Sequence, residues 1–424
     1  MKKPLLCASA VVLIAWNGIC QGQRATVSIP FLAPSVREIA YSIPLSAVNP
    51  FLAWSVIWHG EAEALHVRFS PDGRSWSDPW AVVNTDAHAS EEQLRGRWVS
   101  NLQFESEKMR YFQVRTQAEV RDVVFHFYSP GASAPVEPSS QPEALPCPCP
   151  KPPYLKRQDW CPAGNCPPYP NPLYTTVTHI VIHHSATSNT ANDWAAVVRA
   201  IWDFHVNTNG WADIGYNWLI DPNGVLYEGR ADNVIGAHFC GKNAATMGVC
   251  LIGDFTNQMP TTAAQNRLRD LIGWKLCTMG DRPLDSALHV PSGLVLPRVC
   301  GHRDGCSTAC PGNTFYPTLP NVRTSIANYI AQVCSAASIA DQKKGELLHI
   351  FPNPVRHTLL VQCPETSGAW LHLVRIDGRL AQAPQWFSAG GRYSVDVAHL
   401  PSGFYHLYLI GINGQRWHSS FLKL

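Results

Sequence analysis

Thr178-His179-Ile180-Val181-Ile182-His183-His184-Ser185-Ala186-Thr187 is the stretch that decides the fold. Val177 to Ile182 is an apolar run of strand length, and it ends in a pair of histidines. A strand end is a rigid place from which to project a ligand.

The flanking sequence carries both periodicities. Asn192-Asp193 caps a helix whose apolar face holds Val197, Val198, Ile201 and Trp202. Trp218-Leu219-Ile220, the turn Asp221-Pro222-Asn223-Gly224, and Val225-Leu226-Tyr227 predict a hairpin. Met247 to Ile252 is another buried strand. Leu268, Leu271, Ile272 and Leu276 recur at helical spacing, as do Val322, Ile326, Ile330 and Val333. Strands alternating with helices predict an α/β domain over residues 154–335, a mixed central sheet flanked by helices.

All-β sandwich domains are expected on both sides of it. Residues 25–128 hold short alternating runs such as Leu65-His66-Val67-Arg68-Phe69 and Tyr111-Phe112-Gln113-Val114-Arg115, parted by turns such as Ser70-Pro71-Asp72-Gly73. Trp54, Trp58, Trp76, Trp80 and Trp98 there would form a core or, less in keeping with the alternation, a sugar-binding face. Residues 346–424 are again short strands, with turns at Asp377-Gly378, Pro401-Ser402-Gly403 and Asn413-Gly414. Between the first two domains, residues 129–153 include nine prolines, the composition of an extended, semi-rigid linker.

The chain has 424 residues, too many for one ordinary core, and it is 46% hydrophobic and 15% charged, which reads as globular. With a formal net charge of +2 and no Lys/Arg run, it is not expected to bind nucleic acid or an anionic membrane surface. Residues 1–24 have the form of an export leader: Lys2 and Lys3, an apolar stretch from Leu5 to Trp16 too short to span a bilayer, then small or polar residues. Cys20 is read as part of that leader. No other stretch is apolar enough to span a membrane, so an integral membrane protein is not expected. Of 14 cysteines, all but Cys7 and Cys20 lie beyond the leader. That number fits an oxidising compartment and disulfides whose pairing the sequence does not reveal.

A second chemical stretch is Cys300-Gly301-His302-Arg303-Asp304-Gly305-Cys306-Ser307-Thr308-Ala309-Cys310-Pro311-Gly312. A Gly-containing loop there can fold a His and a Cys onto one ion. Zinc accepts imidazole nitrogen and thiolate sulfur, and a catalytic site needs three protein ligands with a fourth position open. His183, His302 and Cys310 supply such a set. On spacing alone Cys310 could equally sit in a disulfide, and Cys300 or Cys306 could take its place.

With these residues in view, the middle segment resembles the zinc amidases shared by phage lysozyme-type amidases and peptidoglycan recognition proteins. Six motifs stand in that family's order. They are Arg157-Gln158-Asp159-Trp160; His179 to Thr187; Asp213 to Ile220, with Gly215-Tyr216-Asn217-Trp218; Asp221 to Arg230; Gly236-Ala237-His238 with Asn243 to Phe255; and Gly301 to Gly312. The resemblance implies one zinc ion on His183, His302 and Cys310. Tyr216 matches the tyrosine beside the metal, and Thr308 the position that holds Thr or Lys in active members. His238 and Asn243 fall in groove segments, where two roles are open to them: holding the peptide stem or supporting the fold. His184 is expected to be structural or to support the ligands.

The implied activity is hydrolysis of the amide between N-acetylmuramoyl and L-alanine in peptidoglycan or muropeptides. Zinc lowers the pKa of water toward about 7 for attack on the lactyl carbonyl. Tyr216 and Thr308 would stabilise the developing oxyanion or orient the water. No Glu is placed as general acid. The other cysteines of the domain, Cys161, Cys166, Cys240, Cys250, Cys277, Cys300, Cys306 and Cys334, are expected in loop-stapling disulfides. The rival reading is a non-catalytic peptidoglycan-binding protein, against which the intact ligand set argues.

The last segment resembles the C-terminal sorting domain read by the type IX secretion system. The resemblance rests on Ile350-Phe351-Pro352-Asn353-Pro354, Ile376-Asp377-Gly378-Arg379, Leu400-Pro401-Ser402-Gly403-Phe404-Tyr405 and Phe421-Leu422-Lys423-Leu424. It implies export through the periplasm of a Gram-negative bacterium to the surface or medium, with that secretion machinery as partner.

Overall fold

A computed structural model describes residues 22–34, 38–45, 51–83, 85–86, 96–105, 109–138, 149–334, 348–363, 368–375, 380–388, 390–411 and 416–424. Most of the expected leader, the middle of the linker, and the turns at Asp377-Gly378 and Asn413-Gly414 lie outside the described residues.

The first segment forms two antiparallel sheets around one core. One sheet runs in the order Gln23–Leu32, Val120–Ser129, Ala53–Gly60, Arg97–Val99, with Gln103–Phe104 also on Ala53–Gly60. The other runs Ala40–Ser42, Tyr111–Arg115, Leu65–Ser70, Ala81–Val83. Alternation sends Val56, Trp58, Phe69, Phe112, Phe125 and Phe127 inward. The candidate tryptophan face does not exist as a platform. Trp54 and Trp58 are buried, Trp98 stacks on Trp58, and Trp76 and Trp80 lie partly covered near the Arg68 guanidinium, which sits 4.5 Å from the Trp80 ring. The first strand also includes Gln23 and Arg24, which the sequence reading had placed with the leader. The strand register carries on through them, Gln23 opposite Ser129 and Arg24 opposite Tyr128.

The α/β segment is built on a five-stranded sheet ordered Leu226–Glu228, Trp218–Ile220, Thr246–Leu251, His179–His184, Val299–Gly301. Three of its four pairings are parallel; the hairpin Trp218–Ile220/Leu226–Glu228 is antiparallel. His179–His184 is buried at every residue, as a strand inside a covered sheet must be. Asp193 caps the helix Trp194–Asp203 by accepting from Ala196 N at 2.9 Å. In the hairpin turn the Asp221 carboxylate accepts from Asn223 N and Val225 N, and Gly224 takes φ +81°. The Arg157/Trp160 motif ties the chain to this hairpin: Arg157 forms a bidentate pair with Asp213 at 2.9 Å, and Trp160 Nε1 donates to Glu228 O.

Two departures from the sequence reading concern organisation. The first two segments belong to one compact unit, although the prolines between them predict two domains on an extended, semi-rigid linker. The described start of the linker is pinned, since Ser133 N and Oγ donate to the Asp193 carboxylate at 2.7 and 2.6 Å and Gly131 O accepts from Arg199. The second compact unit, centred on residues 330–424, holds two further sheets around Leu359, Val361, Leu371, Val395 and Leu407.

Cys149–Cys334, Cys161–Cys166 and Cys240–Cys306 are disulfides, and Cys277 is also disulfide-bonded. Cys250 and Cys300, expected in disulfides, remain buried thiols.

Candidate active site

The His179–His184 strand delivers His183 at its C-terminal end. The neighbouring Val299–Gly301 strand delivers His302, the first residue of a short 3-10 turn. That turn is braced by Asp304, which accepts from Gly301 N at 2.7 Å and from Tyr316 OH at 2.5 Å. The loop then returns Cys310 under His183, with Arg303 N donating to Cys310 O. The ligand atoms of His183, His302 and Cys310 lie within 4.8 Å of one another, and all three residues are buried. His183 Nδ1 is 3.7 Å from Cys310 Sγ. The Cys310 sulfur also receives the His184 backbone N–H at 3.3 Å.

Hydrogen bonds behind His183 select its tautomer. Thr246 Oγ1 donates to Asn243 O at 2.7 Å. Its lone pair therefore faces His238 Nε2 at 3.3 Å and takes the proton there. His238 Nδ1 is then an acceptor, and His183 Nε2 donates to it at 3.0 Å. The lone pair of His183 Nδ1 is left pointing toward Cys310. Two imidazoles and a cysteine sulfur, with the first imidazole's tautomer set by such a partner, make a donor set that could hold a metal ion such as zinc.

Of the two roles open to His238 and Asn243, their contacts are those of fold support. His238 is buried behind His183, its ring in a slot formed by Gly236 and Gly248; a Cβ on Gly248 would come within 2.5 Å of the ring. Asn243 Oδ1 accepts from His238 N and Phe239 N at 2.7 and 2.8 Å, holding the loop. Through these contacts both brace the His183 ring and the loop beside it. His184 packs on Phe255, whose N–H it accepts at Nδ1.

Tyr216 stands beside His183, ring centroids 5.3 Å apart, and its hydroxyl is hydrogen-bonded to the Cys250 thiol. Burial pushes this phenol well above its ordinary range, and Cys250, Cys310 and Asp86 push the same way. Thr308 Oγ1 accepts from Cys310 N at 3.1 Å, so it shapes the ligand loop from inside. Cys306 is held by Cys240, and Cys300 packs with Val181, Phe239 and Leu296, which leaves Cys310 as the thiol of the triad.

Sequence reading missed several residues that adjoin this centre. Cys250 lies opposite His183 in the parallel register. His205 stacks on Trp211 and accepts from Gly215 N at Nδ1. A cavity next to Tyr216 is lined by Ser185 and His205 together with Asp86, Asn101 and Leu102 of the first segment. No local pattern marks these positions.

Residues 173–313 match the family profile described as N-acetylmuramoyl-L-alanine amidase. The chain is 31% identical over 157 residues to the mouse N-acetylmuramoyl-L-alanine amidase, covering 36% of this chain and 27% of that protein. It is 32% identical over 168 residues to peptidoglycan-recognition protein SC2 of Drosophila melanogaster, covering 38% of this chain and 82% of that protein. Among solved structures, wild-type Drosophila PGRP-LB is similar at 28% identity and a TM-score of 0.33, covering 39% of this chain and 91% of that one. The chain thus spans about a quarter of the length of the mammalian amidase it matches.

Proposed function

Since the chain belongs to the N-acetylmuramoyl-L-alanine amidase family that includes the peptidoglycan-recognition proteins, we propose that it is a zinc-dependent amidase. It hydrolyses the bond between N-acetylmuramoyl and L-alanine in peptidoglycan or muropeptides. The observation that supports this most is the convergence of His183, His302 and Cys310 within 4.8 Å. The tautomer of His183 already suits coordination.

His183, His302 and Cys310 would hold the ion. Bound there, zinc supplies Lewis-acid polarisation of the lactyl carbonyl and activation of water near neutral pH. The residues of the chain do the rest. Thr246 and His238 hold the His183 ring and its proton on the far side. The His184 amide steadies the Cys310 sulfur. Tyr216, whose ring stands beside His183, donates to the oxygen that gains charge as the carbonyl becomes tetrahedral. Thr308 keeps Cys310 in place, and its own O–H remains able to donate. The buried setting strengthens each of these contacts relative to water.

We read the part of the chain before the strand that begins at Gln23 as export-related and the last segment as the part that engages type IX secretion machinery, so the enzyme acts at the cell surface or outside. The test of function is release of free stem peptide from a muramoyl-peptide by the purified chain, with chelator, with zinc restored, and with Cys310→Ala. Zinc-restorable release that Cys310→Ala abolishes supports the amidase. Binding of muramoyl-peptide without any release would replace it with a recognition role.

A further inference from the structure

The first segment is joined to the α/β segment by a continuous seam. Ala53, Val99, Leu102 and Tyr128 share one apolar cluster with Val198 and Ile201. At its polar end the Arg24 guanidinium reaches the Asp203 carboxylate at 3.3 Å, Thr208 Oγ1 and Asn207 O at 3.1 Å, and His126 Nδ1 at 3.0 Å. Arg97 donates to Thr208 O, and Ser55 lies 3.5 Å from the Thr208 hydroxyl. A seam of this kind fixes geometry; a tethered module would not have it.

Where the seam meets the active site, the sandwich presents two polar side chains. Asp86 is set by its N–H to Val99 O at 2.7 Å, and its carboxylate accepts from Asn209 Nδ2 at 3.4 Å. The adjoining backbone is locked: Thr85 bridges Ser100, whose hydroxyl accepts from Val56 N and donates to Asn101 O at 2.9 Å. Asp86 and Asn101 then face the same cavity as Ser185, His205 and Tyr216, a small, partly open space of about 20 Å³ that admits one water-sized group such as an N–H or O–H. Asp86 is only 5% exposed. A carboxylate accepts hydrogen bonds and cannot donate them, whereas an amide does both.

We propose that the N-terminal β-sandwich forms one wall of the substrate site, and that Asp86 and Asn101 are specificity-determining residues that hold a hydrogen-bond-donating group of the muramoyl-peptide beside Tyr216. The inference rests on the amidase reading and deepens it. The donor is an N–H or O–H group. It comes either from the sugar and first amides or from the amine-bearing end of the stem, and ligand length separates the two.

The experiment is calorimetric binding in the full chain carrying Cys310→Ala, so that nothing turns over. Muramoyl-dipeptide, muramoyl-tripeptide with a diamino acid third residue, and disaccharide-tripeptide are compared. Adding Asp86→Ala weakens binding by about 10- to 100-fold, the worth of a hydrogen bond to a charged group. Asn101→Ala gives a smaller loss in the same ligands, and it carries the test should Asp86→Ala not fold. A loss already present with the dipeptide places the donor in the sugar or first amides; a loss that begins with the tripeptide places it in the stem. Affinities within twofold of the parent for all three ligands, whatever the melting temperature does, overturn the proposal. Failure of the amidase reading shows separately, as absence of stem-peptide release from the protein with Cys310 intact.

Discussion

His183 Nε2 lies 3.0 Å from His238 Nδ1, and the hydrogen bond between them commits the lone pair of His183 Nδ1 to the Cys310 side. Two imidazoles 55 residues apart therefore act as one unit. Replacing His238 with alanine leaves the ligand in place but frees its tautomer and ring orientation. Zinc affinity is expected to fall by about 10- to 100-fold, the usual effect of losing such a partner. Competition with a chromophoric chelator measures this, with far-UV circular dichroism to show that the sheet persists. Unchanged affinity would mean that His238 only fills its slot between Gly236 and Gly248.

The extent to which this was readable in advance follows from locality. His183 is legible because an apolar strand ends on it, and His302 and Cys310 because one Gly-containing loop carries both. The choice between stem binding and fold support for His238 and Asn243 was not legible because it depends on what lies under the central strand. Two glycines, one in a loop and one in the Thr246–Leu251 strand, make room there for a ring. Asp86, Asn101 and Arg24 had no signal at all, since their meaning comes from a seam between segments over 100 residues apart in the chain. Disulfide pairing is likewise a matter of spatial proximity, so Cys300 and Cys306 were equivalent on paper and opposite in the structure.

The cysteines give a second prediction. Burial pushes the Cys300 thiol far above the usual thiol range, with Asp304 pushing the same way, so it is not a thiolate near neutral pH. Cys300→Ala is expected to keep one zinc per chain and to cost about 1 kcal/mol in core packing. Cys310→Ala is expected to lose the zinc and the hydrolysis together. Metal analysis of the two purified variants checks this, and equal zinc content in both would refute the assignment of Cys310.

A third prediction concerns acid. Burial first, then Arg24 and Arg97, lowers the His126 imidazole to about 3. Its folded pKa is depressed below the unfolded value of about 6.5, so its contribution to stability is complete above pH 6.5 or so and is lost as the pH falls toward 3. The slope in that window is at most about 1.4 kcal/mol per pH unit. His179, lowered to about 4 chiefly by burial, adds the same sign. Chemical denaturation across pH 4 to 8 is expected to show this loss, and His126→Gln to flatten part of it. A parent and variant with identical pH profiles would remove His126 from the account.

The fourth prediction takes the same seam from its charged end. Asp203 is buried, and burial raises its carboxyl above the ordinary value while Arg24 opposes the rise. Arg24→Ala leaves that carboxylate without its cation, and breaking a buried pair from one side costs about 3 kcal/mol. Asp203→Asn in the same chain removes the orphaned charge and is expected to restore much of the loss, so the double variant is more stable than Arg24→Ala alone. A raised folded pKa also means that the Arg24→Ala protein gains stability as the pH drops through the mildly acidic range, opposite in sign to the His126 effect. Urea midpoints for the two single variants and the double variant complete the cycle. Additive losses would show that Arg24 and Asp203 do not act as a pair, and that the apolar cluster alone holds the sandwich against the active site.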